Sequence, residues 1–511
     1  MNRTPFVMGI DVGTTAVKVA AVSAEGNVAA ASSMAYGTVS PRPGWVEQDP
    51  DVWWDSTVRA VRECLEKLPS GRIEAVSFSG HMSATVLVGR DGVPVMPSIL
   101  IADTRSRDET EWLRQNMMAR ILEMTGNEPL DAFSLPKLMW IRRHRPEVLE
   151  RASAFLFPKD YIRFRMCGEI CTDYTDAGNS QLFHFAKKRW EADLAEELGL
   201  DSRLLPPLFP SASVVGRVSR EAAGLTGLAE GTPVVAGAAD MACSQLGTGA
   251  FKEGIMAVTL STSAQVVMRV PTVGTKSAGK ITFHPSAIPG TYYAMGSIFT
   301  GGLGVEWGYR LLAGKEKLEA ADFQKINEWS DRMREIPAGS GGVLFLPFLT
   351  GSGTPHFDSR DKASWLGLSL GQDAALLLHS VMEGIAYNIR ENVEVFEDEG
   401  QEIRIIHLGG GGSKNPVWCQ IISNVLGKDV RLLTVRDASV MGAAMLAGAG
   451  VNLFPSLEEA ASRMVGTSSI YVCDGAAAGT YDILYRRYRR IYSVLNEYYR
   501  EAAGGAGSSG E

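Results

Sequence analysis

The chain is poor in cysteine, with six among 511 residues, and none of the six sits in a CxxC pair. That excludes a disulfide framework or a zinc ribbon and fits a reducing compartment. Its seven histidines show neither HExxH nor HxH spacing, so nothing in their pattern marks a protein metal centre. It has no excess of positive charge. Fifty Lys and Arg against fifty-eight Asp and Glu leave a net charge of −8, which argues against a nucleic-acid partner or an anionic membrane surface. No apolar run approaches the roughly 18 residues of a membrane span, and Met1 to Pro5 lead into strand-like sequence without a signal-peptide stretch, so a cytoplasmic protein is expected. GxxxxGK[ST] is also missing, because the nearest run, Gly308 to Gly314-Lys315, is one residue too long and continues with Glu316. A P-loop is thereby excluded, and the glycines at Gly409 to Gly412 do not form GxGxxG.

What is present is ordinary globular chemistry. Hydrophobic residues are 45% and charged residues 21%, enough apolar surface for large cores. Phe6 to Val12 reads as a buried strand, Gly13-Thr14-Thr15 as a tight polar turn, and Val17, Val19 and Ala21 as the inward face of a returning strand. Around Trp53-Trp54, Val58 and Val61 the spacing becomes helical, and Ala75 to Phe78 is again strand-like. The same grammar recurs at Ile255 to Met268, around Ser261-Thr262-Ser263, and at Ile403 to Leu408, which runs into four glycines and a helix from about Pro416. Such alternation predicts α/β layers with mixed sheets. Two similar lobes follow, residues 1–247 and 248–497, with a glycine- and serine-rich flexible tail over 498–511.

Three segments carry chemistry. At Asp11-Val12-Gly13-Thr14-Thr15 a strand delivers a carboxylate beside a turn whose backbone N–H groups and hydroxyls can gather round phosphate oxygens. Asp11 is placed there to hold Mg²⁺, directly or through water; the bland alternative is an Asp-Gly hairpin turn. Ser261-Thr262-Ser263 is the matching turn of the second lobe, and Gly409 to Gly412 offers bare backbone to a flat ring or sugar. Asp240 follows the apolar Val234-Val235-Ala236-Gly237-Ala238-Ala239, where a carboxylate is either catalytic or a helix N-cap. If a sugar hydroxyl attacks a γ-phosphate, one carboxylate near the acceptor and one near the metal are the minimum equipment.

In this order the segments resemble the FGGY family of carbohydrate kinases over about residues 6–490. Gly44 to Pro50 with Trp54, Phe133 to Trp140, Thr350 to Pro355 and Gly367 through Glu383-Gly384 all have family counterparts. The resemblance implies two actin-like, ribonuclease H-like lobes with a cleft between them, closing on ATP, Mg²⁺ and a small sugar or polyol. It implies that Asp240 is the general base and that Asp11, Gly13, Thr14 and Thr15 handle metal and phosphates. Thr262 and Ser263 would face the phosphates from the second lobe, Gly301 and Gly302 the nucleotide, and Gly410, Gly411 and Asn415 the adenosine.

Within the family the xylulokinases are most similar, so a pentulose such as xylulose is the expected substrate. Their Gln-Met-His-Gly appears here as Gly80-His81-Met82-Ser83, their Trp-Asn-Asp-Gly-Arg as Ile101 to Arg105, and the Asn after the base as Met241. The sugar contacts implied are His81, Met82, Asp103, Asp240 and Met241, and the changes make another ketose or polyol an open alternative. Ser261 stands where the family more often has glycine. A homodimer is the assembly entertained, and a non-catalytic actin-like ATP-binding protein is the rival from another class.

Overall fold

A computed structural model describes residues 5–505 apart from Ser70, Thr275 and Arg436. Two seven-stranded sheets dominate it. The first is ordered Val214–Arg217, Pro233–Val235, Arg72–Gly80, Pro5–Val12, Ala16–Ser23, Val28–Ala35, with Ala238–Ala239 alongside Arg72–Gly80. Pro5–Val12 is buried at every position after Pro5, as expected of a strand covered on both faces. It pairs antiparallel with Ala16–Ser23 and parallel with Arg72–Gly80.

The second sheet repeats that plan. Ile255–Leu260 forms an antiparallel hairpin with Ala264–Val270 and runs parallel to Ile405–Gly409. Tyr292–Ile298 and Thr282–Pro285 extend one side, Val430–Leu433 and Thr467–Tyr471 the other. The expected pair of similar lobes is therefore visible in strand order and direction.

Between the sheets two helices cross. Asp240–Thr248 packs on Ala438–Gly450, and the latter lies on the strands Pro5–Val12 and Arg72–Gly80, so a helix from late in the chain completes the core of the first lobe. The crossing is tight because glycines meet backbone. A Cβ at Gly442 would lie 2.0 Å from the Cys243 carbonyl oxygen, one at Gly247 2.0 Å from that of Ala438, and one at Gly9 2.2 Å from that of Val440. Neither lobe could be lifted off without opening this contact.

The second lobe is closed by the helices Ala374–Asp398 and Gly475–Gly505. Tyrosines at helical spacing on the latter donate to carboxylates on the former: Tyr481 to Glu383 at 2.7 Å and Tyr485 to Glu394 at 2.8 Å. Because this helix continues to Gly505, the tail expected from residue 498 begins inside it; residues 506–511 lie outside the described residues, as do Met1 to Thr4. Among the described residues no helix is long and apolar enough to cross a membrane.

Candidate active site

The turn after Pro5–Val12 is closed by the Gly13 N–H donating to the Ala16 carbonyl at 3.0 Å. Gln48 Nε2 donates to the Thr14 carbonyl at 2.7 Å, and Trp53 Nε1 fixes Gln48 in turn at 2.9 Å. The Tyr36 hydroxyl binds the Gly13 carbonyl. With the carbonyls held from behind, the side chains of Thr14 and Thr15 stay exposed. Asp11 lies at the root of the turn, buried, with the Ser79 hydroxyl on Oδ1 at 2.6 Å and that of Ser439 on Oδ2 at 3.1 Å. Burial pushes its carboxyl above the usual range, and the two hydroxyls pull against that.

The second turn is backed by a helix start. Gly301 and Leu303 donate to the Thr262 carbonyl at 3.0 and 3.1 Å, and Gly302 to that of Ser261 at 2.6 Å. A side chain at Gly301 would put Cβ 2.5 Å from the Ser263 backbone, so the approach requires glycine there. Ser261 and Thr262 are exposed. Beside them is a cavity of about 480 Å³ whose lining includes Thr262, Gly302, Gly411, Lys414 and Trp418, large enough for a ring and its sugar. Gly410, with φ +88°, lets the loop after Ile405–Gly409 lie close on the second hairpin, since a Cβ there would be 2.5 Å from the Leu260 carbonyl oxygen.

Asp240 is the first residue of its helix, after Ala239, and is half-buried. Its Oδ1 accepts the Met241 N–H at 2.8 Å. Burial pushes its carboxyl up to about 7; the negative charge of Asp11 adds to that, and the N–H groups of Met241 and Met82 pull the other way. Two carboxylates 229 positions apart in sequence therefore act on each other across one space. A carboxyl that titrates near neutrality beside a phosphate-type turn suits a general base.

Residues 6–247 match the FGGY family of carbohydrate kinases, N-terminal domain, and residues 244–451 match its C-terminal domain. The chain belongs to the FGGY carbohydrate kinases. It is 32% identical to a xylulose kinase of Bacillus subtilis over 490 residues, 96% of this chain and 97% of that protein. A protein of Saccharolobus solfataricus named glycerol kinase 1 is 29% identical over 465 residues, 89% of this chain and 90% of the other. The crystal structure of xylulose kinase from Rhodospirillum rubrum superposes with a TM-score of 0.89 at 30% identity, covering 97% of this chain and all of that one.

In this FGGY kinase the remaining predicted contacts are distributed unevenly. His81 donates from Nδ1 to the Val12 carbonyl at 2.9 Å and meets Trp53 edge-on, while its buried Nε2 has no partner. Burial lowers it to about 4, so that nitrogen is a neutral acceptor. Met82, Met241, Ala239 and Tyr293 pack into one apolar cluster beside the base. The Asp103 carboxylate takes Arg105 Nε, Nη2 and backbone N–H at 2.7 to 2.9 Å and the Val46 N–H at 2.6 Å, so four donors of the protein itself already occupy it. Asn415 lines the cavity beside Thr262 and also caps the helix that follows it. Its Oδ1 accepts the Val417 and Trp418 N–H groups at 3.1 Å, and its Nδ2 donates to Ser330 at 2.5 Å.

Sequence reading missed a buried ionic knot behind Asp240. Lys159 reaches Asp160 at 2.6 Å and Asp173 and Asp176 at 3.0 Å, while Arg163 binds Asp160 and the Ala236 carbonyl, both at 2.8 Å. Burial opposes the charge on Lys159, yet the three carboxylates outweigh it and keep the ammonium charged. Thr175 links the knot to the base, accepting the Ala239 N–H at 2.8 Å and donating to Asp173 at 2.7 Å. The sequence signals were Phe157-Pro158-Lys159-Asp160-Tyr161 and the stretch Asp173 to Asp176, which do not by themselves say that they meet.

Family membership implies a nucleoside triphosphate and a divalent cation. Among the described residues no group of three His, Cys, Asp or Glu side chains is arranged to hold a metal ion. Asp11 offers one carboxylate, already oriented by two hydroxyls. That donor set fits a hard cation that brings water and phosphate oxygens as most of its ligands, which is how Mg²⁺ binds nucleotides.

Proposed function

We propose that this kinase transfers the γ-phosphoryl group of ATP to a primary or near-terminal hydroxyl of a pentulose such as xylulose, with Mg²⁺ as the cation. The observation that carries this is the half-buried Asp240 carboxyl, held near neutrality beside Asp11 at the start of an interlobe helix. The names of its relatives, which include xylulose kinases at up to 32% identity over nearly the whole chain, support the substrate.

In this reading Asp240, ionised, accepts the proton of the attacking hydroxyl, and the Met241 N–H keeps the carboxylate turned toward it. His81 Nε2 accepts from a second sugar hydroxyl, with Met82 and Met241 against the carbon chain. Thr14 and Thr15, on the turn that Gly13 closes, bind phosphate oxygens from the first lobe, and Thr262 and Ser263 do so from the second. Gly301, Gly302, Gly410 and Gly411 let the nucleotide lie against bare backbone. Asp11 would hold the cation, which when bound neutralises charge on the transferring group. Residues 1–247 thus carry sugar and phosphate contacts and 248–497 the nucleotide. We infer a cytoplasmic setting, in which the six unpaired thiols stay reduced.

The test is ADP release from Mg·ATP with pentuloses, hexuloses, tetritols, pentitols and glycerol. Turnover that depends on xylulose, with a product phosphorylated on a terminal carbon, is expected. ATP turnover indifferent to every sugar, or a clear preference for glycerol, would overturn the proposal.

A further inference from the structure

Gly80 pairs with Ala239 in the first sheet, which sets the turn Gly80 to Ser83 against the start of the Asp240 helix, and Met82 shares one apolar cluster with Met241; the Met82 N–H lowers the Asp240 carboxyl. That turn is bent in an unusual way. Ser83 has φ +64°, a left-handed conformation that a side chain disfavours and glycine takes freely. Something must hold a serine there. Its carbonyl accepts from Lys137 Nζ at 3.0 Å and from the Ser134 hydroxyl at 3.1 Å, and its own hydroxyl donates to the Asn179 carbonyl at 3.4 Å. Gly80, at the other end, lies so close to Lys159 that a Cβ would meet the Lys159 backbone N at 2.9 Å.

Lys137 has no exposed surface, and among the described residues its hydrogen-bond partners are two backbone carbonyls, those of Ser83 and Ala132 at 3.0 and 2.9 Å. A buried ammonium without a directly bonded carboxylate is expensive, and an apolar side chain would pack at lower cost. Its presence is explained if the donor itself is needed. We propose that Lys137 is a positioning residue for phosphoryl transfer: by gripping the Ser83 carbonyl it fixes the left-handed bend and so sets the Met82 N–H against the Asp240 carboxylate. The inference rests on Asp240 being the base.

The charges around this relay are accounted for. Burial lowers Lys137 to about 7, with Asp103 and Asp131 pulling it up and Arg105 pushing it down; His81 feels it from the turn. Asp240 is faced by Asp11 on the first strand and by the buried, unpartnered hydroxyl of Tyr293 from the second lobe. Because a donor to the ionised carboxylate lowers its pKa, losing the Met82 N–H moves the acid limb of the kcat/KM profile to higher pH.

The experiment is steady-state kinetics with xylulose and Mg·ATP on Lys137→Met, Ser134→Ala, and each of these combined with Ser83→Gly, with Ser83→Gly as the reference of the cycle. Lys137→Met is expected to lower kcat about 10- to 100-fold, the scale of a misplaced catalytic group, with KM for ATP within about twofold and the acid limb moved up. Adding Ser83→Gly is expected to restore about fivefold or more and to move the limb back, because glycine takes the bend unaided. A merely structural lysine would show neither the limb shift nor the rescue. Wild-type kcat and limb in Lys137→Met, or a double variant no faster than the single, overturns the proposal. Should Lys137→Met not fold, Ser134→Ala decides: a raised limb relieved by Ser83→Gly supports the relay, and an unmoved limb sinks it. Asp240→Asn separates the two readings, since an active Asp240→Asn rejects the base itself, whereas an inactive one beside a normal Lys137→Met rejects only the relay.

Discussion

The two lobes are built alike and charged differently. Each has an antiparallel hairpin, a parallel neighbour and an interlobe helix. In the first, the hairpin turn begins from Asp11 and the helix opens with Asp240; in the second, the turn is Ser261-Thr262-Ser263 and the helix opens Ala438-Ser439. The second lobe contributes a hydroxyl where the first contributes a carboxylate, and Ser439 turns its hydroxyl onto Asp11 itself. Its nearest acid, Asp437, pairs with Lys18 at the surface. A duplicated scaffold thus places both anionic groups on one wall and leaves neutral donors on the other. In the proposed reaction one wall would serve metal and acceptor and the other the nucleotide; sharing a wall with Asp11 adds to the burial that pushes Asp240 toward neutrality.

The largest expected effect breaks the comparison at its sharpest point. Asp240→Asn keeps the shape of the helix start and removes the base, so kcat should fall by about 10² or more with nucleotide affinity retained. Single-turnover kinetics with calorimetric titration of ATP checks both halves. A smaller effect follows from the same residue in the native enzyme. Since burial and Asp11 hold Asp240 up to about 7, the working, ionised form is lost as pH falls through that value. The kcat/KM for the sugar should drop about tenfold for each pH unit below it; a profile flat from pH 5 to 8 would separate activity from this carboxyl.

At the interlobe crossing, Gly442→Ala would place a methyl group 2.0 Å from the Cys243 carbonyl oxygen. Overpacking of this kind destabilises by about 1 to 3 kcal/mol, read as a lower midpoint in thermal or urea unfolding. Gly371, where an added Cβ meets nothing within 4 Å, is the control position.

How much of this could be read from residues alone depends on whether a feature is local. The hairpins, and the placing of Asp11 at a turn and Asp240 at a helix start, were legible because an apolar strand running into a polar turn needs only a few consecutive residues. The sugar side was less so. Asp103 has the right chemistry for a substrate contact, but Arg105, two residues on and wedged 3.8 Å from the Trp45 ring centroid, claims it. Asn415 lines the cavity beside the glycine loop, and the residue before Pro416 at a helix start also serves as its cap. The Lys159 knot and the grip of Lys137 join residues 54 to 73 positions apart at their widest, and the glycine crossing joins helices about 200 positions apart. No periodicity announces such contacts.

The smallest expected effect sharpens the contrast between the two turns. Gly13 lies where a Cβ would come 3.1 Å from the Ala16 carbonyl, the acceptor that closes the first turn. Ser261 fills the corresponding place in the second turn with its side chain exposed, and its backbone alone makes the bonds, through its N–H to Ser263 at 2.9 Å and its carbonyl from Gly302. Gly13→Ala is therefore expected to raise KM for ATP about 3- to 10-fold by shifting the donors of the first turn, whereas Ser261→Gly should change it by less than about twofold, because it removes a group that supports nothing. Equal losses in the two variants would mean that the serine hydroxyl binds phosphate, and that the second wall of the cleft is built on side chains to the same degree as the first.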